Sequence, residues 1–268
     1  MKILLCSVPV GPLERTLKPL FPRGSGSGFQ LPVLPVGILR VLSWMEKNGY
    51  SGDIYDINNL RPSDETLIKN FKCTKPTVVG LSAPLSHCYP NVKRISKILR
   101  DLFPDIWIVV GGHLTASANV ILNKTETDIC VVGDGEISFL KLLDYFNLHP
   151  TRRQLDYTEL CQIRGLAFID KNNKLKVTGY GEQLPASEIQ NLDYDGFRLE
   201  LQKFGENAEL IHEFFEPIVG TTIFTKVPSV FSENFPQDQF YSERLKFYEK
   251  YKNKKIGTIQ TVRGCVAR

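Results

Sequence analysis

The sequence predicts an α/β fold: a doubly wound, flavodoxin-like parallel sheet of five strands with helices on both faces. Three observations carry this. Short apolar runs alternate with helical patterns through residues 1–148 of the 268-residue chain. The third run, Thr77-Val-Val-Gly-Leu-Ser82, is almost continuously apolar, as a strand covered on both faces must be. Strand–helix–strand units close by right-handed crossovers, which leaves few topologies.

Taken in order, residues 2–8 form the first strand, and a loop rich in Pro, Gly and Ser spans 9–33. Residues 36–48 place Ile38, Leu39, Leu42 and Met45 at helical spacing, and Asn48-Gly49 ends that helix. Residues 53–57 are the second strand. Ser63 caps a short helix over 63–71 whose Thr66, Leu67 and Phe71 share one side. After the third strand, a helix over 90–102 turns Val92, Ile95, Ile98, Leu99 and Leu102 inward. Residues 106–110 are the fourth strand, 116–122 a helix, 128–132 the fifth strand and 137–146 a fifth helix.

Beyond about residue 148 the pattern changes. Residues 163–169 and 175–178, joined by the polar turn Asp170-Lys-Asn-Asn-Lys174, read as a β-hairpin. Residues 184–197 read as an extended linker. Residues 241–256 read as a basic, aromatic helix, and the last twelve residues as a strand running into a loop.

Composition excludes several function classes. Hydrophobic residues make up 42% of the chain and charged residues 23%, which rules out a disordered tail or coiled coil. The net charge of +4 does not by itself predict nucleic-acid binding. The basic stretch 244–255, with Phe247, Tyr248 and Tyr251, is better read as a solvated helix face than as an RNA site. The six cysteines form no Cys-x-x-Cys pair, so a zinc knuckle is not expected and a reduced, cytoplasmic protein is. The apolar stretch that starts at Met1–Cys6 ends by Pro12 with no small-residue cleavage site, so a signal peptide is not expected there. The uncharged run 106–123 carries Gly111, Gly112, His113 and Thr115, which suits a strand, loop and helix rather than a membrane span.

In such a sheet, ligands bind beyond the carboxyl ends of the strands, where strand order reverses. Four loops lie there, and they supply the candidate binding residues. These are Ser7 and Pro9; Ser82, Ala83, Pro84 and Leu85; Gly111, Gly112, His113 and Thr115; and Gly133, Asp134, Gly135 and Glu136. The glycines allow close backbone approach, and the hydroxyls add directional hydrogen bonds. No Gly-x-Gly-x-x-Gly follows the first strand and no phosphate-loop sequence occurs, which disfavours dinucleotide or ATP binding. Asp53 and Asp56 are expected to cap or solvate the end of the second strand. Cys6 and Cys130 are expected as buried small hydrophobes.

The order Pro35-Val-Gly37, Val79-Gly80-Leu81-Ser82, Val110-Gly-Gly-His-Leu-Thr115 and Val132-Gly-Asp-Gly-Glu136 resembles the N-terminal cobalamin-binding domain of cobalamin-dependent radical S-adenosylmethionine (radical SAM) enzymes. Residues 163–168 and the 184–193 linker resemble that family's connecting segment. The resemblance implies a cobalamin-binding domain over 1–148, a hairpin and linker over 149–200, and the beginning of a radical SAM domain over 201–268. It also implies that Asp134 and Glu136 shape the fifth loop near the cofactor tail, rather than acting as an acid/base pair.

Thr261-Val-Arg263-Gly264-Cys265 resembles the opening of the radical SAM cysteine motif. The resemblance makes Cys265 a metal ligand, one of three thiolates on an iron–sulfur cluster that binds S-adenosylmethionine. A single thiolate cannot hold that cluster. The chain is therefore expected to be a fragment whose radical chemistry, a methyl transfer or related reaction, needs a complete motif. A non-catalytic module for cobalamin or another nucleotide-tailed ligand is the alternative. No His occurs between residues 1 and 86. His87 and His113 are read as loop residues, so cobalamin is expected to bind without histidine on cobalt.

Overall fold

The computed structural model describes residues 1–10, 35–60 and 62–188, together with Phe204 and the strand backbones 215–217, 223–226 and 255–258. The chain divides into two compact units, one of residues 1–15 and 35–192, the other of 16–34 and 193–268.

The first unit is built on β1 (Ile3–Ser7), α1 (Val36–Lys47), β2 (Gly52–Tyr55), α2 (Ile57–Leu60), α3 (Asp64–Thr74), β3 (Val78–Ser82), α4 (Tyr89–Leu102), β4 (Trp107–Gly111), α5 (Ala118–Lys124), β5 (Ile129–Val131), α6 (Gly135–Leu148), α7 (Tyr157–Leu160), β6 (Leu166–Ile169) and β7 (Leu175–Val177). The sheet order is β2-β1-β3-β4-β5-β6-β7. The first five strands pair in parallel and follow the flavodoxin-like order.

Two further strands correct the expected count. The 163–178 hairpin forms, and it extends the main sheet: β6 pairs antiparallel to β5 and β7 to β6. Leu166, Ala167 and Phe168 are buried, so β6 shields what would have been an open edge at β5.

The core lies between this sheet and its helices. Val78, Val79 and Leu81 of β3 and Trp107, Ile108, Val109 and Val110 of β4 are buried. Against them pack Val92, Ile95 and Leu99 of α4, and Phe139, Leu142, Leu143 and Phe146 of α6. Trp107 stacks on Phe146 at 4.6 Å between centroids, and its Nε1 donates to the His149 carbonyl at 2.8 Å. Ser63 caps α3 by accepting from the Thr66 N–H, as its sequence position predicts.

At the amino-terminal edge of the sheet, the buried Asp128 accepts two bonds from Arg100, at 2.9 and 2.8 Å, one from Arg152 at 2.7 Å and one from the Ile108 N–H at 2.8 Å. Burial pushes its carboxyl pKa up, opposed by Arg100 and Arg152 beside it.

Other differences are local. Gly135 already opens α6, two residues before the expected start, and a 3₁₀ turn, His113–Ser117, precedes α5. Asp56 is not solvated: it is 1% exposed.

The second unit is described as a three-stranded antiparallel sheet, β8 (Phe215–Pro217), β9 (Ile223–Lys226) and β10 (Lys255–Thr258), in the order β10-β9-β8. Residues 255 and 256, read from sequence as a helix end, are in β10. The rest of the 241–256 stretch, most of the linker and Cys265 lie outside the described residues. No described helix is long and apolar enough to cross a membrane.

Candidate functional site

Strand register builds the site. Ser7 lies opposite Ser82, and Ser82 opposite Gly111, so β1, β3 and β4 end level at the carboxyl edge. Strand order reverses between β1 and β3, which makes this the crevice that the fold leaves open.

The start of the first loop, residues 7–10, is tied down to the sheet edge. The Val8 N–H donates to the Ser82 carbonyl at 2.9 Å. Ser7 Oγ donates to Asp56 Oδ1 and accepts from the Asn58 N–H at 3.1 Å. Asn58 Oδ1 accepts from the Val10 N–H at 3.2 Å, and Asn91 Nδ2 donates to the Pro9 carbonyl at 3.0 Å. Ser7 and Pro9 are buried. The Ser7 hydroxyl and the Pro9 carbonyl are thus bonded within the protein, and the sequence could not reveal that Asp56 would claim the Ser7 hydroxyl. Behind them Cys6 is fully buried; burial, with Asp56 nearby, pushes its thiol far above the ordinary range, so it is an inert core group.

The third and fourth loops clasp each other. The Ala83 N–H donates to the Gly111 carbonyl at 2.9 Å, and the Leu114 N–H to the Ala83 carbonyl at 3.1 Å. The approach is so close that a Cβ on Gly112 would sit 2.6 Å from the Ala83 carbonyl oxygen. Gly112 also has φ +90°, a region other residues rarely adopt. Thr115 is buried, and its Oγ1 donates to the Gly112 carbonyl at 2.7 Å, which fixes the turn.

Gly111 differs in kind. A Cβ there would meet nothing within 4 Å among the described residues. Beside it the half-buried Ser82 makes no side-chain hydrogen bond among the described residues, although its carbonyl accepts from the Val8 N–H. Pro84, Leu85, His87, Gly112 and His113 stand exposed around this opening, Leu85 at 49%. The result is a bare strand end with an available hydroxyl and an apolar lip. Neither histidine is built into a metal-binding group, and no cluster of three His, Cys, Asp or Glu among the described residues could hold a metal ion.

The four predicted residues of the fifth loop divide between the edge and the interior. Gly133 is exposed and Asp134 half-buried at the edge. Gly135 instead lies against α1, where an added Cβ would come within 3.3 Å of Val41 Cγ2, and Glu136 is buried in the first turn of α6. The sequence reading passed over Gly179-Tyr180-Gly181, which returns from β7 to this loop: the Gly181 N–H donates to the Val132 carbonyl at 3.1 Å. Its Gly-Tyr-Gly spelling was the available signal.

Comparison with known proteins agrees with the fold. Residues 27–143 match the B12 binding domain family. The chain is 24% identical over 161 residues to cytidylyl-2-hydroxyethylphosphonate methyltransferase of Streptomyces wedmorensis, covering 53% of this chain and 29% of that protein. Among solved structures, the cobalamin-dependent S-adenosylmethionine radical enzyme OxsB, with aqua-cobalamin and S-adenosylmethionine bound, superposes with a TM-score of 0.55 at 16% identity, over 76% of this chain and 25% of that one. The radical S-adenosylmethionine methyltransferase TsrM of Kitasatospora setae gives a TM-score of 0.49 at 16% identity, over 66% of this chain and 30% of its own. The chain thus spans under a third of the length of each of these relatives. Over residues 27–143 the chain is similar to the B12 binding domain family, and its fold resembles that of a cobalamin-dependent radical SAM enzyme.

Proposed function

We propose that the carboxyl edge of this sheet binds cobalamin, with the cofactor's tail laid across Gly111 and met by the Ser82 hydroxyl. The observation that carries this is the open space over Gly111 beside that hydroxyl, at the strand-order reversal and inside the matched segment. The residues fit the group: a long polar tail needs close backbone approach and a few directional donors, and a macrocycle needs an apolar lip. Ser82 Oγ supplies a donor or acceptor, Gly111 and Gly112 supply bare backbone, and Pro84 and Leu85 supply apolar surface.

His87 and His113 are assigned to the rim and not to cobalt. The first loop, clamped by Asp56, Asn58 and Asn91, positions the floor without contributing Ser7 Oγ to the ligand. When bound, cobalamin supplies methyl-transfer chemistry; the protein orients it and limits access of water.

In the wider reading, this domain serves a radical SAM enzyme, a methyltransferase or one of related chemistry. Cys265 is then one thiolate of an iron–sulfur cluster that binds S-adenosylmethionine and needs further thiolates besides. The small-molecule or peptide substrate is left open. A cofactor-holding module without catalysis is the second reading, in keeping with a family match whose description names binding alone.

Reconstitution with hydroxocobalamin, followed by desalting, tests the first step. The protein should retain the corrinoid visible spectrum near one equivalent, and a colourless eluate sinks the reading. EPR of the cob(II)alamin form should lack nitrogen splitting from a protein imidazole.

A further inference from the structure

We infer that Tyr180 is a cobalamin-contacting residue, its ring packing against the edge of the macrocycle from the strap that follows β7; this rests on the cobalamin reading above. The strap is anchored where it crosses the site. Thr178 N–H donates to the Leu166 carbonyl at 2.8 Å, and the Gly181 N–H to the Val132 carbonyl at 3.1 Å, directly beyond β5.

The crossing leaves no room for adjustment. A Cβ on Gly181 would fall 2.7 Å from Ser138 Oγ and 2.9 Å from the Asp134 carbonyl oxygen, and one on Gly165 only 2.6 Å from Gly181 Cα. Outside this anchor, Lys141 pairs with Glu182 at 3.0 Å and Lys47 with Glu188 at 2.5 Å, fastening the strap to α6 and α1.

Between these fixed points Tyr180 is 76% exposed. Its Cδ1 lies 3.7 Å from where a Gly133 side chain would begin, so the ring stands on the carboxyl edge beside the fifth loop. Neighbouring strands are about 4.8 Å apart, which puts this ring roughly two strand spacings from the bare end at Ser82–Gly111 on β3 and β4. A macrocycle seated over that end extends toward it. Held by a rigid backbone on both sides, the ring loses little freedom when covered, which is what makes an aromatic group effective at a binding surface.

The test is a visible-absorbance titration of hydroxocobalamin against wild type, Y180A and Y180F. Y180A should weaken binding about tenfold, and Y180F should stay within about twofold of wild type, because the ring and not the hydroxyl makes the contact. The ligand-free thermal midpoints should coincide, since an exposed ring contributes little to folding. In parallel, tetranitromethane should nitrate Tyr180 in ligand-free protein and spare it once cobalamin is bound. Wild-type binding with Y180A unchanged overturns the assignment while leaving the cobalamin reading intact. Y180F as weak as Y180A, or a Tyr180 already protected without cofactor, also overturns it. Failure of wild type to bind removes both.

Discussion

At the residue scale, adjacent glycines do opposite work. Gly112 is glycine because nothing else fits: its φ of +90° and the Ala83 carbonyl leave no place for a Cβ. G112A should therefore cost more than about 1 kcal/mol of stability before any ligand is considered. Gly111 has ordinary backbone and open space, so G111V should fold with stability within about 1 kcal/mol of wild type and yet lose cobalamin binding. Urea unfolding paired with spectral titration separates the two. A G111V protein that binds as wild type does would refute the placement of the tail over β4. S82A should likewise fold normally and bind more weakly, since the lost hydroxyl holds no protein partner among the described residues. The Gly111-Gly112 pair was legible in the sequence as a place of close backbone approach. The division of labour was not, because it depends on how close Ala83 comes from another loop. For the same reason the sequence did not show the bond from Ser7 to Asp56, 49 residues away in the chain.

At the scale of elements, the hairpin shows what local patterning can and cannot reveal. Its turn was legible because Asp170 starts a polar run between two apolar ones. Its place beside β5 was not, since β6 and β5 are far apart in sequence and only the buried face of Leu166, Ala167 and Phe168 decides the pairing. Asp170 Oδ1 accepts from the Lys174 N–H at 2.9 Å and the Asn172 N–H at 2.8 Å. The Lys174 bond leads in holding its carboxyl below the usual carboxylate range. A depressed folded pKa means that the turn gains from ionisation above the ordinary value and loses that gain as pH falls through the folded value. The amide shifts of Asn172 and Lys174 should therefore titrate together below the usual aspartate pKa; titration at or above it contradicts the turn geometry. The Asp128 cluster makes a second test. D128A leaves the Arg100 guanidinium, only 10% exposed, with carbonyl partners and Glu126 but without its close carboxylate, and should cost about 3 kcal/mol in urea unfolding.

For the molecule as a whole, the arrangement separates stability from ligand. The packed groups, among them Trp107, Phe146, Phe71 and Tyr55, lie within the layers, whereas the bare strand end, the Leu85 lip and Tyr180 lie along one edge and bury little without a partner. Such a body should fold without cofactor and gain stability by mass action when the edge is filled. At free cobalamin one hundred times the dissociation constant, the gain is about 2.7 kcal/mol. For a unit of this size that corresponds to a rise of roughly 5–10 °C in the thermal midpoint. Calorimetry with and without hydroxocobalamin should give that rise in wild type, a smaller one in Y180A and none in G111V, while the three ligand-free midpoints stay close. A ligand-free protein that lacks a cooperative transition would instead mean that the corrinoid completes the core. The closed hydrogen bonding of residues 7–10 and the buried Val78, Val79, Leu81 and Trp107–Val110 of β3 and β4 argue against that, because these residues already pack within the layers.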